Sequence, residues 1–330
     1  MLLQGRPVGC EDFHLRECTS GMNLTRMSGL PSKSEPDRLW WIRLGFYLVA
    51  AVILITLGTG GFTSGGSPFG KVAGHWHFFL IGILAATVAN STGAGGGIIF
   101  LPVFTLLGLS VTESLATSLA IQCFGMTAGG LSWLRHLKKG AIVDAQSKSF
   151  RLILLVGAST SLVGLRIAQE LFPNPDWNIE WFFSLFSLVV GFAIFVRTLN
   201  GGEVNRGRDD VIRLGEWGGL ALSGLIGGAI TAWLSIGVGE VLAIYLLALR
   251  FRVNLAVAVA VCVTSITAIA GVPFYIGKSA IVLEVLVFAA PGALIGGTLA
   301  RRLAIYLGAR RLKLGMAGWI ILTAIVYLIV

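Results

Sequence analysis

Between Phe78 and Leu109 the chain is apolar almost throughout, yet Gly93, Gly95, Gly96 and Gly97 fall within five residues and Pro102 follows. Glycine in a helix interior costs about 1 kcal/mol relative to alanine, so this cluster ends an ordinary helix. A continuous helix over residues 78–108 would be about 46 Å long at 1.5 Å per residue. The hydrocarbon core of a bilayer is only ~30 Å thick, so the run is too long for one straight crossing. The glycines divide it into arms at 78–92 and 96–108, each about 20 Å, enough to reach past the midplane and return. Broken backbone at membrane depth is tolerated only where protein buries it or a cavity is lined by it. The break is therefore a candidate binding place.

Composition requires the membrane. Of 330 residues 55% are hydrophobic and 12% charged, about half the charged share of a soluble chain. The formal charge of +9 sits in short basic clusters between apolar runs. That is the distribution of the positive-inside rule, and it excludes nucleic acid as a partner. Residues 1–37 mix charge with Gly, Ser and Pro without period and read as a disordered cytoplasmic tail, in which Met22 and Met27 are alternative starts. The tail lacks the charged start, apolar centre and cleavage site of a signal peptide. Residues 38–77 read as an extra transmembrane helix and its outer loop: Trp40, Trp41 and Arg43 mark an interface, Leu44–Gly61 spans, a loop runs to Lys71, and Trp76 marks the next interface. Cys10, Cys18, Cys123 and Cys262 are scattered, without the clustering and His partners a metal site needs. No metal or other cofactor is expected.

The plan of the first half recurs. Apolar segments follow at 112–134, 150–170 and 180–196; a second overlong run, Glu216–Leu249, is broken at Ser235–Glu240 and followed by segments at 253–272, 281–300 and 314–330. The fold class expected is an all-α polytopic membrane protein with two units, 78–200 and 201–330. A shift of 142 residues puts Gly82 on Gly224, Gly95 on Gly237, Gly97 on Gly239, Ala116 on Ala258 and Gly129 on Gly271. Glycine is abundant, 44 of 330 residues, so the matched order of runs carries more weight than these identities.

Charge then decides what the broken runs are. If both return to their starting side and the N-terminus is cytoplasmic, eighteen basic residues from Arg38 to Lys313 flank the cytoplasmic face, against Lys71 and Lys278 opposite. If both runs cross fully, the clusters at 135–151 and 197–213 move outside and the bias vanishes. Lys/Arg bias sets orientation, so the runs are expected to be re-entrant. Each unit then has three crossings, and two such units in tandem form the inverted repeat common in secondary transporters.

A helix starting at Gly96 would present unpaired N–H groups and the positive end of its dipole to the midplane, a ready anion site. Gly93, Gly95, Gly96 and Gly97 let a ligand approach the backbone, while Asn90, Ser91 and Thr92 add polar side chains. On the next helix Ser118 and Gln122 are i and i+4 and share a face; Thr117 faces the pocket or a neighbouring helix. Ser235, Gly237, Gly239 and Thr264, the counterpart of Gln122, are the second-half candidates. Glu240 is an ionisable residue inside an apolar run, costly and functional as a rule, and is assigned proton coupling. Cys123 and Cys262 are small buried hydrophobes.

The glycine cluster with Pro102, Ala116-Thr117-Ser118 opening the next helix, and the basic turn Arg135, His136, Lys138, Lys139, Gly140 resemble the TauE/SafE sulfite exporter family, the TSUP permeases, over residues 78–330. The resemblance implies a permease of the bacterial inner membrane for small sulfur-containing anions such as sulfite, sulfoacetate or taurine-derived sulfonates. The second half departs from the family pattern: Gly237-Val238-Gly239-Glu240 has no proline matching Pro102, and Ala258-Val259-Ala260 replaces Ala-Thr-Ser. Ligand contacts are therefore expected mainly from the first half. Other carboxylate or inorganic anions, and a passive anion channel, are the competing readings. His136, Asp144 and Glu113 are too scattered for an intramembrane enzyme, and no phosphate-binding Gly-x-x-x-x-Gly-Lys loop is present.

Overall fold

The structure, a computed structural model, describes residues 68–139, 144–173, 178–200 and 212–329. The tail at 1–37 and the extra helix at Leu44–Gly61 lie outside the described residues. Among those described there is no strand, and ten α-helices follow one another. They are α1 (Pro68–Thr92), α2 (Gly97–Leu106), α3 (Val111–Lys139), α4 (Asp144–Leu171), α5 (Ile179–Asn200), α6 (Trp217–Leu234), α7 (Val238–Ala248), α8 (Val253–Gly277), α9 (Leu283–Leu307) and α10 (Ala309–Ile329). Five segments, in α4, α5, α6 with its preceding turn, α8 and α9, are long and apolar enough to cross a membrane. The chain is a multi-pass membrane protein.

Helix ends differ from the apolar pattern in two ways. The first arm starts at Pro68, inside the loop expected to reach Lys71. Proline suits the first helical position because it needs no N–H partner and its φ is preset. Likewise α3 runs on through Arg135 to Lys139. Hydropathy marks where a helix meets hydrocarbon, and hydrogen bonding carries the helix further.

Small residues set the packing. α1 lies along α9, and α4 along α6. A Cβ at Gly82 would overlap the Ala289 carbonyl, and one at Gly164 the Leu225 carbonyl. Close backbone approach of this kind is how helices associate where apolar burial gives no driving force. α3 packs on both α8 and α9, and α5 on α10.

Each broken run folds back on itself. Phe78 of α1 meets Phe104 of α2 with ring centroids 6.0 Å apart, and the Tyr245 hydroxyl of α7 donates to the Glu216 carbonyl beside α6 at 2.6 Å. Residues 142 apart share local geometry. Gly93 (φ 86°) and Ser235 (φ 56°) open the two breaks, and Gly108 (φ 89°) and Arg250 (φ 64°) close the second arms. The Leu109 amide donates to Phe104 and the Phe251 amide to Leu246, both at 3.0 Å. Trp133 Nε1 donates to the Asn90 carbonyl, and the Tyr275 hydroxyl to the Ala232 carbonyl.

Candidate functional site

α1 ends at Thr92 because Gly93 turns left-handed, a conformation that costs glycine little. The Thr92 hydroxyl bonds the Val88 carbonyl at 2.9 Å and receives the Ala94 amide at 3.3 Å. After Ala94 and Gly95 the chain re-enters a helix with Gly96 as N-cap. In the second run Ser235 takes the left-handed turn and Gly237, at φ 137°, caps α7. Thr231 supports this turn: its hydroxyl accepts from the Val238 amide at 3.0 Å and donates to the Gly227 carbonyl at 2.8 Å.

The two breaks touch. A Cβ at Gly97 would lie 2.6 Å from Ile236 Cγ2 and 2.8 Å from the Ser235 carbonyl oxygen. A Cβ at Gly239 would overlap the Gly93 carbonyl and crowd the Thr264 hydroxyl. At both positions the closeness of foreign backbone is what demands glycine.

Polar bonds join the breaks. Glu240 is 2% exposed. Its carboxylate accepts from the Gly95 amide at 2.7 Å in the first break and from the Gly237 amide at 2.8 Å in its own. Gln122 Oε1 accepts from the Gly96 amide at 3.0 Å. The same side chain donates through Nε2 to the Ser235 carbonyl at 2.8 Å and to Ser235 Oγ at 2.7 Å. Ser235 Oγ in turn donates to Ser118 Oγ at 3.1 Å, and Gln122 Nε2 lies 3.4 Å from Ser118 Oγ. A buried carboxylate is costly unless donors surround it, and charge-assisted bonds this short are the strong kind.

This corrects one expectation. The amides of Gly95 and Gly96 are not unpaired: Glu240 and Gln122 take them. Buried main-chain donors nearly always find a partner, and an acceptor from the other half of the chain is the one within reach.

The remaining candidates are buried near the breaks with other partners. Asn90 Nδ2 donates to the Ala86 carbonyl at 2.8 Å, and its buried Oδ1, which has no hydrogen-bond partner, faces Gly129. Ser91 bonds the Val88 carbonyl and Thr264 the Ala260 carbonyl, each at 2.8 Å. Thr117 turns to a neighbouring helix instead of the breaks, receiving the Val282 amide ahead of α9 at 2.9 Å. Cys123 and Cys262 are free thiols. Among the described residues no three His, Cys, Asp or Glu side chains group as metal ligands.

Sequence reasoning missed Thr231, Trp133 and Tyr275. The signals were there: Thr231 stands four residues before the break, and Trp133 and Tyr275 are aromatic residues 142 apart.

Comparison with curated proteins and with solved structures finds no match. A family model described as Sulfite exporter TauE/SafE matches residues 78–327, a range that includes both breaks and every residue bonded between them.

Proposed function

The chain belongs to the sulfite exporter TauE/SafE family, and on that premise we propose that it is a secondary transporter of small sulfur oxyanions or sulfonates. The observation that carries the reading is the Glu240 carboxylate on the Gly95 amide. A buried helix start that holds one anionic oxygen has the donors and the dipole sign for another. In this reading the anion takes the amides of Gly95, Gly96 and Gly97, flanked by Asn90, Thr92, Ser118 and Gln122, with Ser235, Gly237, Gly239 and Thr264 facing it from the second half.

Glu240 is then the coupling residue. Its carboxylate and the substrate compete for the same amides, so an arriving anion displaces it. Deprived of those donors in a dry site, the carboxylate is neutralised by a proton, and each anion bound is linked to one proton. Release of the anion lets the charged carboxylate return and pull the breaks together.

The architecture we assign is an inverted repeat with two re-entrant breaks, units 78–200 and 201–330. Three observations support it: the fold-back of each second arm, the geometry shared by residues 142 apart, and the basic bias of eighteen to two. The N-terminus is placed in the cytoplasm and the protein in the bacterial inner membrane. Alternating access rocks one unit against the other around the contact of the breaks.

A second reading, transport of small carboxylates, is favoured by one fact: the acceptor already seated is a carboxylate. Flux in proteoliposomes against sulfite, thiosulfate, sulfoacetate, taurine and simple carboxylates separates the two. Saturable flux of the sulfur anions is expected. Movement of carboxylates alone would sink the sulfur assignment, and conductance without saturation would make the protein a channel.

A further inference from the structure

Trp133 and Tyr275 make the same bond in the two halves of the chain. Trp133 Nε1 donates to the Asn90 carbonyl at 2.9 Å, and the Tyr275 hydroxyl to the Ala232 carbonyl at 2.5 Å. The two donors are 142 positions apart, and so are the two acceptors. Both acceptors are main-chain groups that the breaks release. A helical carbonyl ordinarily accepts from the amide four residues on. The Gly93 and Ser235 amides still meet the Ala89 and Thr231 carbonyls, each at 3.0 Å. One position later the pattern fails. The Ala94 amide bonds the Thr92 hydroxyl instead, and Ile236 follows the left-handed turn at Ser235. Each aromatic side chain therefore takes the first carbonyl that its break sets free.

The two bonds stand on opposite sides of the breaks. Thr127 and Ser265 share a hydrogen bond at 2.7 Å, Cys262 Sγ lies 3.9 Å from the Gly130 carbonyl oxygen, and a Cβ at Gly271 would lie 3.0 Å from Leu119. Rising positions on α3 meet falling positions on α8, so these helices are antiparallel. Trp133 is near the end of α3 that carries Arg135 and Lys139, and Tyr275 near the end of α8 that leads to Lys278. Along the pair they are about 25 Å apart at 1.5 Å per residue. Gln122 and Thr264, which meet the first and second breaks, lie between them.

Burial ties each bond to the entry of water. Trp133 is 1% exposed and Tyr275 6%. A buried donor and a buried carbonyl that part from each other each need a new partner. Water arriving from that end of the helix pair meets both, so a parted bond and a wet passage go together.

We propose that the Trp133–Asn90 and Tyr275–Ala232 contacts are the two gates to the breaks, one toward each face of the membrane, and that they open in alternation. Both are closed in this structure. The proposal rests on the transporter reading above and adds the residues that decide which face the breaks meet. Trp133 and Tyr275 are positioning residues: they act on the helix that leads into each break.

Sided labelling tests the gates. With the four native cysteines replaced and Thr264→Cys introduced between the gates, a membrane-impermeant thiol reagent is applied to each face of oriented vesicles in turn. Tyr275→Phe keeps the ring and removes the hydroxyl. Labelling from the Lys278 face should rise roughly tenfold, the worth of one hydrogen bond, with no change from the Arg135 face. Trp133→Phe should raise labelling from the Arg135 face alone. Unchanged rates, a rise from the other face, or an equal rise from both faces overturns the gates. Where Trp133→Phe does not fold, Tyr275→Phe decides alone: a rise confined to the Lys278 face supports the gates, and any other result overturns them. Face-specific shifts in a chain that moves neither sulfite, sulfonates nor carboxylates uphold the gates and overturn the transport reading. Transport with unshifted labelling does the converse.

Discussion

The break at Gly93–Gly96 and the break at Ser235–Gly237 turn the chain along the same path. Each opens with a residue at positive φ, and each is followed by a short helix that folds back on the long one. Their chemistry is opposite. The first contributes the main-chain amides of Gly95 and Gly96 as donors; the second brings the Glu240 carboxylate to the Gly95 amide and the Ser235 carbonyl to Gln122, which holds the Gly96 amide. Two glycine breaks of identical chemistry would face donor to donor, with the positive ends of α2 and α7 opposed. A carboxylate between them answers both ends at once. The second break, with Gly237-Val238-Gly239-Glu240 where the first has its glycine cluster, is thus the complement of the first, and the acid at position 240 is its centre.

The sharpest way to break this comparison is steric. Gly97→Ala and Gly239→Ala each drive a Cβ into backbone of the other break. Overpacking of this kind costs typically 1–3 kcal/mol, and both variants should unfold well below the wild type in detergent. Gly95→Ala is the control. Its Cβ would have neighbours no nearer than 3.2 Å, tight enough that Gln122 and the Ser235–Ile236 backbone must give by a few tenths of an ångström, so its loss should be smaller; a loss as large as that at Gly97 would mean that the closer approach is not at Gly97.

Next in size is Glu240→Gln, which keeps the shape and removes the charge shared by Gly95 and Gly237. Hydrogen bonds to charged groups contribute about 1.5–3 kcal/mol, so the variant should be less stable. Its transport test uses a sulfonate, which stays ionised across the range measured. Acidification should strengthen binding in the wild type, where a protonated Glu240 no longer competes, and leave Glu240→Gln unaffected. A preserved pH profile in the variant would remove Glu240 from coupling.

Gln122→Leu against Thr264→Val asks whether the halves are equivalent on the helix that follows each break. Gln122→Leu strands the Gly96 amide, at about 1–3 kcal/mol. Among the described residues Thr264 bonds only within its own helix, and its loss should cost under ~1 kcal/mol. Comparable thermal shifts would argue against the asymmetry.

The smallest effect is expected for Ser235→Gly. Glycine relieves a left-handed residue, of order 1 kcal/mol, and forfeits bonds to Gln122 and Ser118 of similar worth. Stability should move little, and a large loss would show that the serine hydroxyl alone holds the breaks together.

Much of this protein is local and was legible in residue order. Apolar runs and their interruption at Gly93–Gly97 and Ser235–Glu240 follow from hydropathy and from what glycine does to a helix. The helix start at Pro68 was missed because the apolar pattern fades before the hydrogen bonding does. Thr117 was one of two open choices in the sequence, and the Val282 amide decided it. The unpaired amides expected of a helix starting at Gly96 were a correct statement about an isolated helix start. Only the tertiary structure brings Glu240, 145 residues away, to the Gly95 amide. Periodicity and propensity act over a few residues, so they specify where a chain must break. Which acceptor answers the exposed donors depends on two breaks packing together, a contact that no window of sequence contains.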